Sequence, residues 1–195
     1  MKRFWKTAEA VAEDGGWAIR LDGRPVRTPS RVALVGPGAT PARTIAAEWD
    51  AQGAVVDPRL MPMTGFANAT IDRVLPAPGD FRGQVAAYAA SDLLCYRADE
   101  PEELVARQQA QWEPLLDWAA AHYGVRFAVT AGIVPVDQPA LTLAALRGAV
   151  EAIDPWLLAG AATITQIGGS LVGMLAHLAG VLSAEALFDV VSLDE

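Results

Sequence analysis

Hydrophobic and polar residues alternate near the beginning of the chain, which is the spacing of a half-buried β-strand. Trp17, Ile19 and Leu21 occupy every second position, and the dipeptide Asp22-Gly23 that follows favours a tight hairpin turn. The segment after this turn, residues 24–28, would form the returning strand. We therefore predict three or four strands in this region, forming a small sheet or an open barrel.

Hydrophobic positions further along the chain recur every three or four residues, which predicts helices almost to its end. Thr40-Pro41 has the residue types typical of a helix N-terminus. Asp99, Asp137 and Ser183 precede later helical patterns and are candidate N-caps. Pro114 lies inside one of these patterns and predicts a kink or a break there.

The two patterns divide the chain into two parts. We predict an α+β fold in which a small N-terminal β-rich domain, residues 1–38, is followed by a larger, mainly α-helical domain, residues 39–195. Because the chain has 195 residues, of which 52% are hydrophobic, it is long and apolar enough to bury a sizeable core.

The segment from Pro155 to Leu182 contains no charged residue and is long enough to cross a bilayer. It carries several polar side chains, however, and no Lys or Arg follows Arg147, whereas a membrane span usually has a basic flank. A membrane anchor within residues 156–182 is therefore one interpretation. The favoured one is a buried helix, or two, at the centre of the helical domain.

Charge is distributed unevenly along the chain, whose formal net charge is -8. Basic residues are concentrated in residues 1–31, whereas residues 151–195 contain acidic residues and no basic one. An acidic protein is a poor ligand for nucleic acid or anionic lipid, since both are polyanions. The acidic C-terminal part either steers a basic partner or is simply a solvated surface.

Few residues suited to covalent chemistry are present. Cys95 is the only cysteine, which excludes an internal disulfide and any multi-cysteine metal site, and there are only two histidines. The sequence has no P-loop motif and no dinucleotide-binding glycine motif. We therefore expect no cofactor and no metal. The N-terminus lacks the apolar segment of a signal peptide, so we expect a bacterial cytoplasmic protein.

Four residues support an alternative hypothesis, a small-molecule enzyme. Asp72, Arg73, Asp92 and His122 would form its site if the fold brought them into one cleft. Aspartate–arginine pairs are more often structural than catalytic. The chain also has six tryptophans, a residue enriched at binding hot spots when exposed. With no recognisable catalytic motif, this composition favours a binding protein over the enzyme.

An ordered set of short motifs covers nearly the whole chain. The motifs are Leu21-Asp22-Gly23-Arg24-Pro25-Val26-Arg27-Thr28-Pro29, Glu48-Trp49-Asp50-Ala51-Gln52-Gly53, Met61-Pro62-Met63-Thr64, Asn68-Ala69-Thr70-Ile71-Asp72-Arg73-Val74, Asp92-Leu93-Leu94-Cys95-Tyr96-Arg97, Trp112-Glu113-Pro114-Leu115-Leu116-Asp117-Trp118 and Gly169-Ser170-Leu171. In this order they resemble the ATP synthase assembly chaperones that act on the alpha subunit of the F1 sector. That family occurs in mitochondria and in alphaproteobacteria.

The resemblance implies a fold, a function and a location. The fold would be a β-rich N-terminal domain followed by a helical domain, and the protein would be a chaperone, not an enzyme. Its partner would be the unassembled F1 alpha subunit, which it would bind as a monomer in the bacterial cytoplasm, or in the mitochondrial matrix for eukaryotic relatives. Binding would cover the apolar surface that the subunit later buries in the ring.

Five residues are candidates for contact with this partner: Trp49, Asn68, Asp72, Asp194 and Glu195. Asp194 and Glu195 are carried over from the resemblance. They belong to a Leu-Asp-Glu motif, here Leu193-Asp194-Glu195, and acidic residues near this motif are implicated in function in the family. The alternative is that Trp49 belongs to the core and that Asn68 and Asp72 are structural struts. If the acidic residues make the contact, the double substitution Asp194→Lys and Glu195→Lys should weaken alpha-subunit binding without lowering the melting temperature much.

Overall fold

The computed structural model describes residues 1–132 and 134–193. Most of its strands lie near the N-terminus and its helices dominate the rest, which confirms the predicted α+β class. The chain forms two compact units, Met1–Pro78 and Gly79–Glu195. The first unit extends well beyond the strands, because the first helix packs against them. The predicted boundary between residues 38 and 39 stays a prediction of where the β-rich part ends.

The sheet of the first unit is built around its second strand. The strands are β1 (Ala8–Glu13), β2 (Gly16–Leu21), β3 (Arg24–Pro25) and β4 (Val35–Gly36). Strand β2 pairs antiparallel with each of the other three. The predicted hairpin at Asp22-Gly23 is confirmed, and both residues have positive φ, of 47° and 76°. The conformation explains the dipeptide, because Asp and Gly tolerate the left-handed region that this turn requires.

Helix α1 (Ala39–Asp50) is followed by a 3₁₀ turn (Pro58–Leu60), α2 (Pro62–Ala69) and one π-helical turn (Thr70–Val74). The predicted N-cap at Thr40 is wrong, because α1 begins at Ala39 and its N-cap is Gly38, two residues before the predicted cap.

The N-terminus of α2 is capped from another helix. The carboxylate of Glu48, on α1, accepts hydrogen bonds from the backbone N–H groups of Met63 and Thr64, at 2.7 and 2.8 Å. It also accepts one from the Thr64 hydroxyl, at 2.7 Å. These free N–H groups at a helix start need an acceptor, so Glu48 ties α2 to α1.

The second unit consists mainly of helices. They are α3 (Pro78–Ala87), α4 (Glu102–Tyr123), α5 (Ala140–Glu151), α6 (Pro155–Gly168), α7 (Leu171–Leu178) and α8 (Ala184–Val191). Of the kink or break predicted at Pro114, the break is absent, because helix α4 continues through this residue. The predicted caps at Asp99 and Asp137 are wrong, since α4 and α5 begin after Pro101 and Pro139 without a side-chain cap. The predicted cap at Ser183 is confirmed, because its hydroxyl accepts from the N–H of Ala186.

The uncharged segment forms α6 and α7, which Gly169 separates with a φ of +64°. Among the described residues, none of the helices is both long enough and apolar enough to span a bilayer. Helix α7 packs against α6, α8 and α4 and is buried along most of its length. The interpretation as a buried helix is therefore supported for α7, whereas α6 is buried only along one side.

The core of the second unit forms around Trp112, which is fully buried on α4. Its indole Nε1 donates a hydrogen bond of 2.9 Å to the backbone carbonyl of Val190, near the end of α8. Cys95 is buried in the same cluster. A short parallel pair joins β5 (Tyr96–Arg97) to β6 (Thr130–Ala131).

Candidate functional site

An open apolar groove lies between α6, α7 and α8 of the second unit and has a cavity volume of about 190 Å³. We call it the α6–α8 groove. Its lining residues are Thr163, Ile164, Ile167, Gly168, Ser170, His177, Ala184, Leu187, Phe188 and Val191. The groove is a place where the core of the unit reaches the surface, because its lining includes both buried and exposed apolar side chains.

Helical spacing produces the wall on the α8 side. Leu187 and Phe188 follow Ala184 by three and four residues, and Val191 follows them by four and three, so all four share one face of the helix. Leu187 packs inward and is 6% exposed, whereas Phe188 is 67% exposed. Leu187 thus anchors α8 to the core, whereas the side chain of Phe188 is accessible to another molecule.

The α6 side presents a second exposed apolar side chain, that of Ile167, which is 81% exposed. The next residue, Gly168, lies against α8, and a Cβ atom there would come within 3.1 Å of the Val191 side chain. Glycine therefore lets the two helices approach closely at this end of the groove. The exposed Ile167 and Phe188 both line the open cavity.

The polar groups in the groove form hydrogen bonds within the protein. The Ser170 hydroxyl donates to a carboxylate oxygen of Asp92, at 2.8 Å, and accepts from the N–H of Gly173. The Nδ1 atom of His177 lies 2.9 Å from the backbone carbonyl oxygen of Leu182. What the groove offers another molecule is therefore mainly apolar contact, as expected of a binding surface.

An acidic ridge borders the groove on α8, formed by Glu185 and Asp189, which are one helical turn apart and both exposed. Hydrogen bonds from its own backbone N–H and from the Ser183 hydroxyl lower the pKa of Glu185, so its carboxylate is charged at neutral pH. The chain has no Lys or Arg after Arg147, and the nearby His177, which lines the groove, also contributes to the lowered pKa of Glu185.

Two of the predicted partner residues, Trp49 and Asn68, meet in the first unit. They line one pocket together with Met1, Val56, Pro58, Met61, Thr64 and Gly65. Trp49 is half-buried and packs edge-on against Trp5, with 5.2 Å between the ring centroids. The Nε1 atom of Trp49 and the Oδ1 atom of Asn68 are buried without a hydrogen-bond partner among the described residues. The structure brings these two residues together because α1 packs against α2.

The other predicted partner residues lie elsewhere. The Asp72 carboxylate accepts a hydrogen bond of 3.0 Å from the N–H of Ser30, so it connects the π-helical turn to the strand region. Burial raises the pKa of Asp72, but hydrogen bonds from Thr28 and Ser30 outweigh it and hold the pKa below its ordinary value. Asp194 and Glu195 lie outside the described residues.

The four residues of the enzyme hypothesis do not line the α6–α8 groove or the Trp49–Asn68 pocket. Asp72 and Arg73 belong to the first unit, whereas Asp92 and His122 belong to the second. His122 is exposed at the end of α4 and stacks on Trp118, with 5.2 Å between the rings. Among the described residues there is no group of three or more side chains that would hold a metal ion.

Asp92 has a structural environment. It is fully buried and its carboxylate accepts hydrogen bonds from the backbone N–H groups of Leu94 and Val172 and from the Ser170 hydroxyl. Burial raises its pKa. Burial also raises the pKa of the neighbouring Cys95 thiol to about 12, so this cysteine is not an activated nucleophile.

Sequence reasoning did not single out Ile167 or Phe188, which are the two large apolar side chains of the groove that are exposed. Both lie in apolar helical stretches, and the spacing of apolar residues alone does not show which side chains remain exposed. The sequence of α6 does contain a hint, because this helix is apolar on more than one face. Such a helix has more apolar surface than one neighbouring element can cover.

Comparison with known proteins assigns the chain to a family. A family model described as the ATP12 chaperone protein matches residues 2–120. The chain is 24% identical to the protein named atp12, mitochondrial, of Schizosaccharomyces pombe, in an alignment that covers 99% of this chain and 70% of that protein.

Solved structures share the fold over almost the whole chain. Atp12 from Paracoccus denitrificans is 38% identical, with a TM-score of 0.95, over 99% of this chain and 83% of that one. The Atu1473 protein from Agrobacterium tumefaciens is 39% identical, with a TM-score of 0.94, over 100% of this chain and 73% of that one. The chain therefore belongs to the ATP12 chaperone family, the family of ATP synthase assembly chaperones that its motifs resemble.

Proposed function

We propose that this protein binds the unassembled alpha subunit of F1 ATP synthase and shields its subunit interface until the subunit joins the ring. The observation that carries the proposal is family membership, supported by a family-model match and by a shared fold at 38% identity. The exposed apolar groove is consistent with it, because a chaperone for an assembly interface must itself offer apolar surface.

The mechanism would follow from mass action. An unassembled ring subunit exposes the apolar surface that it will bury against its neighbour, and this surface promotes aggregation. A chaperone that covers the surface lowers the concentration of the free form. Release needs no ATP hydrolysis if the final interface in the ring binds more tightly than the chaperone does.

We infer that the protein works by binding and not by catalysis. The carboxylate of Asp92 is occupied by three hydrogen-bond donors, and His122 is an exposed helix-end residue stacked on Trp118. Neither residue has the geometry of a general base in an enclosed site. The proposal also places the protein, as a monomer, in the bacterial cytoplasm.

The predicted partner residues remain part of this proposal. Trp49 and Asn68 share a pocket, and each has one buried polar atom without a hydrogen bond. We propose that the backbone of the partner supplies these hydrogen bonds after a small rotation of either side chain. Asp72 lies in the same unit, where its carboxylate accepts a hydrogen bond from the N–H of Ser30. Asp194 and Glu195 are proposed as contacts at the C-terminus.

Co-expression with the F1 alpha subunit tests the proposal. We expect the alpha subunit to co-purify with this protein, and light scattering to show less aggregation of the subunit when the protein is present in equimolar amount. The beta subunit, treated in the same way, is the specificity control. Absence of a complex together with unchanged aggregation of the alpha subunit would overturn the proposed function.

A further inference from the structure

The α6–α8 groove has the shape of a site for a helix. Its wall on α8 is about 12 Å long, since eight residues rise about 1.5 Å each, which matches two turns of a bound helix. The exposed Ile167 and Phe188 stand at this opening as contact points for apolar side chains. Grooves between helices that present such contacts accept amphipathic helices, whose anchors recur every three or four residues.

The walls of the groove favour a helix over an extended segment. They are formed by α6, α7 and α8, whose backbone groups are used within the helices themselves. An extended peptide would place unpaired N–H and C=O groups against apolar side chains, which is unfavourable. A helix satisfies its own backbone groups and presents only side chains to the groove.

Charge around the groove selects the type of helix. Glu185 and Asp189 form a ridge along one border, and the segment 148–195 contains no Lys or Arg. A bound segment with Lys or Arg beside its apolar face gains favourable contacts with the ridge, whereas an acidic segment is repelled.

The same charge disfavours two other occupants. In a symmetric dimer formed through the groove, the acidic ridges of both copies would lie close together and repel each other. A membrane surface rich in anionic lipid would also be repelled by the ridge.

We propose that the α6–α8 groove binds an amphipathic helix of the client protein, with apolar side chains against Ile167 and Phe188 and with Lys or Arg beside Glu185 and Asp189. The identification of that client as the F1 alpha subunit rests on the proposed function. The preference for a basic amphipathic helix rests on the groove alone and is testable without the client.

The first experiment uses two synthetic probes, namely helical peptides with leucines on one face and either lysines or glutamates on the other. We expect the wild-type protein to bind the lysine peptide at least tenfold more tightly than the glutamate peptide, by fluorescence anisotropy. The double substitution Ile167→Ser and Phe188→Ser should weaken binding of the lysine peptide at least tenfold. Equal affinity for the two peptides, or no effect of the substitution, would overturn the proposal.

Matched variants separate the groove from general surface effects. Leu141→Ser is the apolar control, because Leu141 is 84% exposed on α5 and does not line the groove. Glu185→Gln with Asp189→Asn should reduce the preference for the lysine peptide about threefold or more. Glu103→Gln with Asp117→Asn removes the same charge from exposed sites on α4 and should leave the preference unchanged. If both neutralised pairs behave alike, the ridge does not select the ligand.

The final experiment compares the client with the peptides. If the wild-type protein binds the lysine peptide but not the F1 alpha subunit, the groove inference stands and the proposed function fails. If it binds the alpha subunit and the Ile167→Ser, Phe188→Ser variant binds that subunit equally well, the proposed function stands and the groove inference fails. Unchanged circular dichroism and melting temperature establish that each variant is folded.

Discussion

At the scale of single residues, the buried carboxylate of Asp92 fixes the start of α7. It accepts 2.8 Å hydrogen bonds from the Ser170 hydroxyl and the Val172 N–H, and one of 3.1 Å from the Leu94 N–H. Asp92→Ala leaves these buried donors without an acceptor, and we expect it to lower the free energy of unfolding by about 3 kcal/mol or more. Urea denaturation measures the change.

The control for this prediction is Asp117→Ala, because Asp117 is exposed on α4. We expect that substitution to change the free energy of unfolding by less than about 0.5 kcal/mol. Equal effects of the two substitutions would show that the Asp92 hydrogen bonds do not support α7.

A second carboxylate, that of Asp22, links the β2–β3 turn to the chain before β1. Hydrogen bonds from the backbone N–H groups of Thr7 and Lys6 lower its pKa from the ordinary 3.8. Because the pKa is lower in the folded state, this contribution to stability is present above the unfolded pKa and disappears as the pH falls through the folded one. We expect Asp22→Asn, which retains the left-handed turn, to lower the melting temperature at pH 7.

The difference from the wild type should shrink as the pH falls below about 4, where the wild-type carboxylate becomes protonated too. Thermal unfolding followed by circular dichroism between pH 2.5 and 7 measures it. Glu9→Gln, at an exposed position on β1, is the control. A difference that stays constant across this range would contradict the prediction.

At the scale of elements, glycine decides where the uncharged segment turns. Gly169 has a φ of +64°, and a Cβ atom there would meet only ordinary contacts, with Leu93 at 3.7 Å. The cost of Gly169→Ala is therefore backbone strain, and we expect a loss of about 1 kcal/mol in the free energy of unfolding. Gly160 lies within α6 with open space around its Cβ position.

Gly160→Ala should have the opposite effect and stabilise the protein by about 0.5–1 kcal/mol, because alanine favours the helix and reduces the freedom of the unfolded chain. Chemical denaturation of the two variants side by side measures both signs. If both substitutions destabilise the protein equally, position in the helix and not the sign of φ determines the cost.

At the scale of the whole molecule, the net charge of -8 and the acidic C-terminal part predict association that depends on salt. We expect the rate of association with a basic client segment to fall about tenfold between 50 and 500 mM NaCl, because salt screens the long-range attraction. The dissociation rate should change less, since the groove holds its ligand by apolar contact. Stopped-flow fluorescence with the lysine peptide measures both rates.

The variant Glu185→Gln with Asp189→Asn tests the source of this salt dependence. Its association rate should be lower than that of the wild type at 50 mM NaCl and similar to it at 500 mM. An association rate of the wild type that does not change with salt would contradict the role assigned to the acidic part of the chain.

The sequence by itself determined the features that depend on neighbouring residues. The turn at Asp22-Gly23 and the cap at Ser183 follow from local conformational preferences and are present in the structure. The caps predicted at Thr40, Asp99 and Asp137 are not, because helix ends also depend on packing. The sequence motifs also indicated the family, because an ordered set of short motifs is specific even when each motif alone is weak.

Only the tertiary structure decided which residues act together and which apolar side chains stay uncovered. Trp49 and Asn68 share a pocket because α1 packs on α2, and Ile167 and Phe188 are exposed because no described element covers that border of α6 and α8. Periodicity shows which face of a helix is apolar, but burial depends on whether another part of the chain reaches that face. The groove therefore became visible only after the helices were packed together.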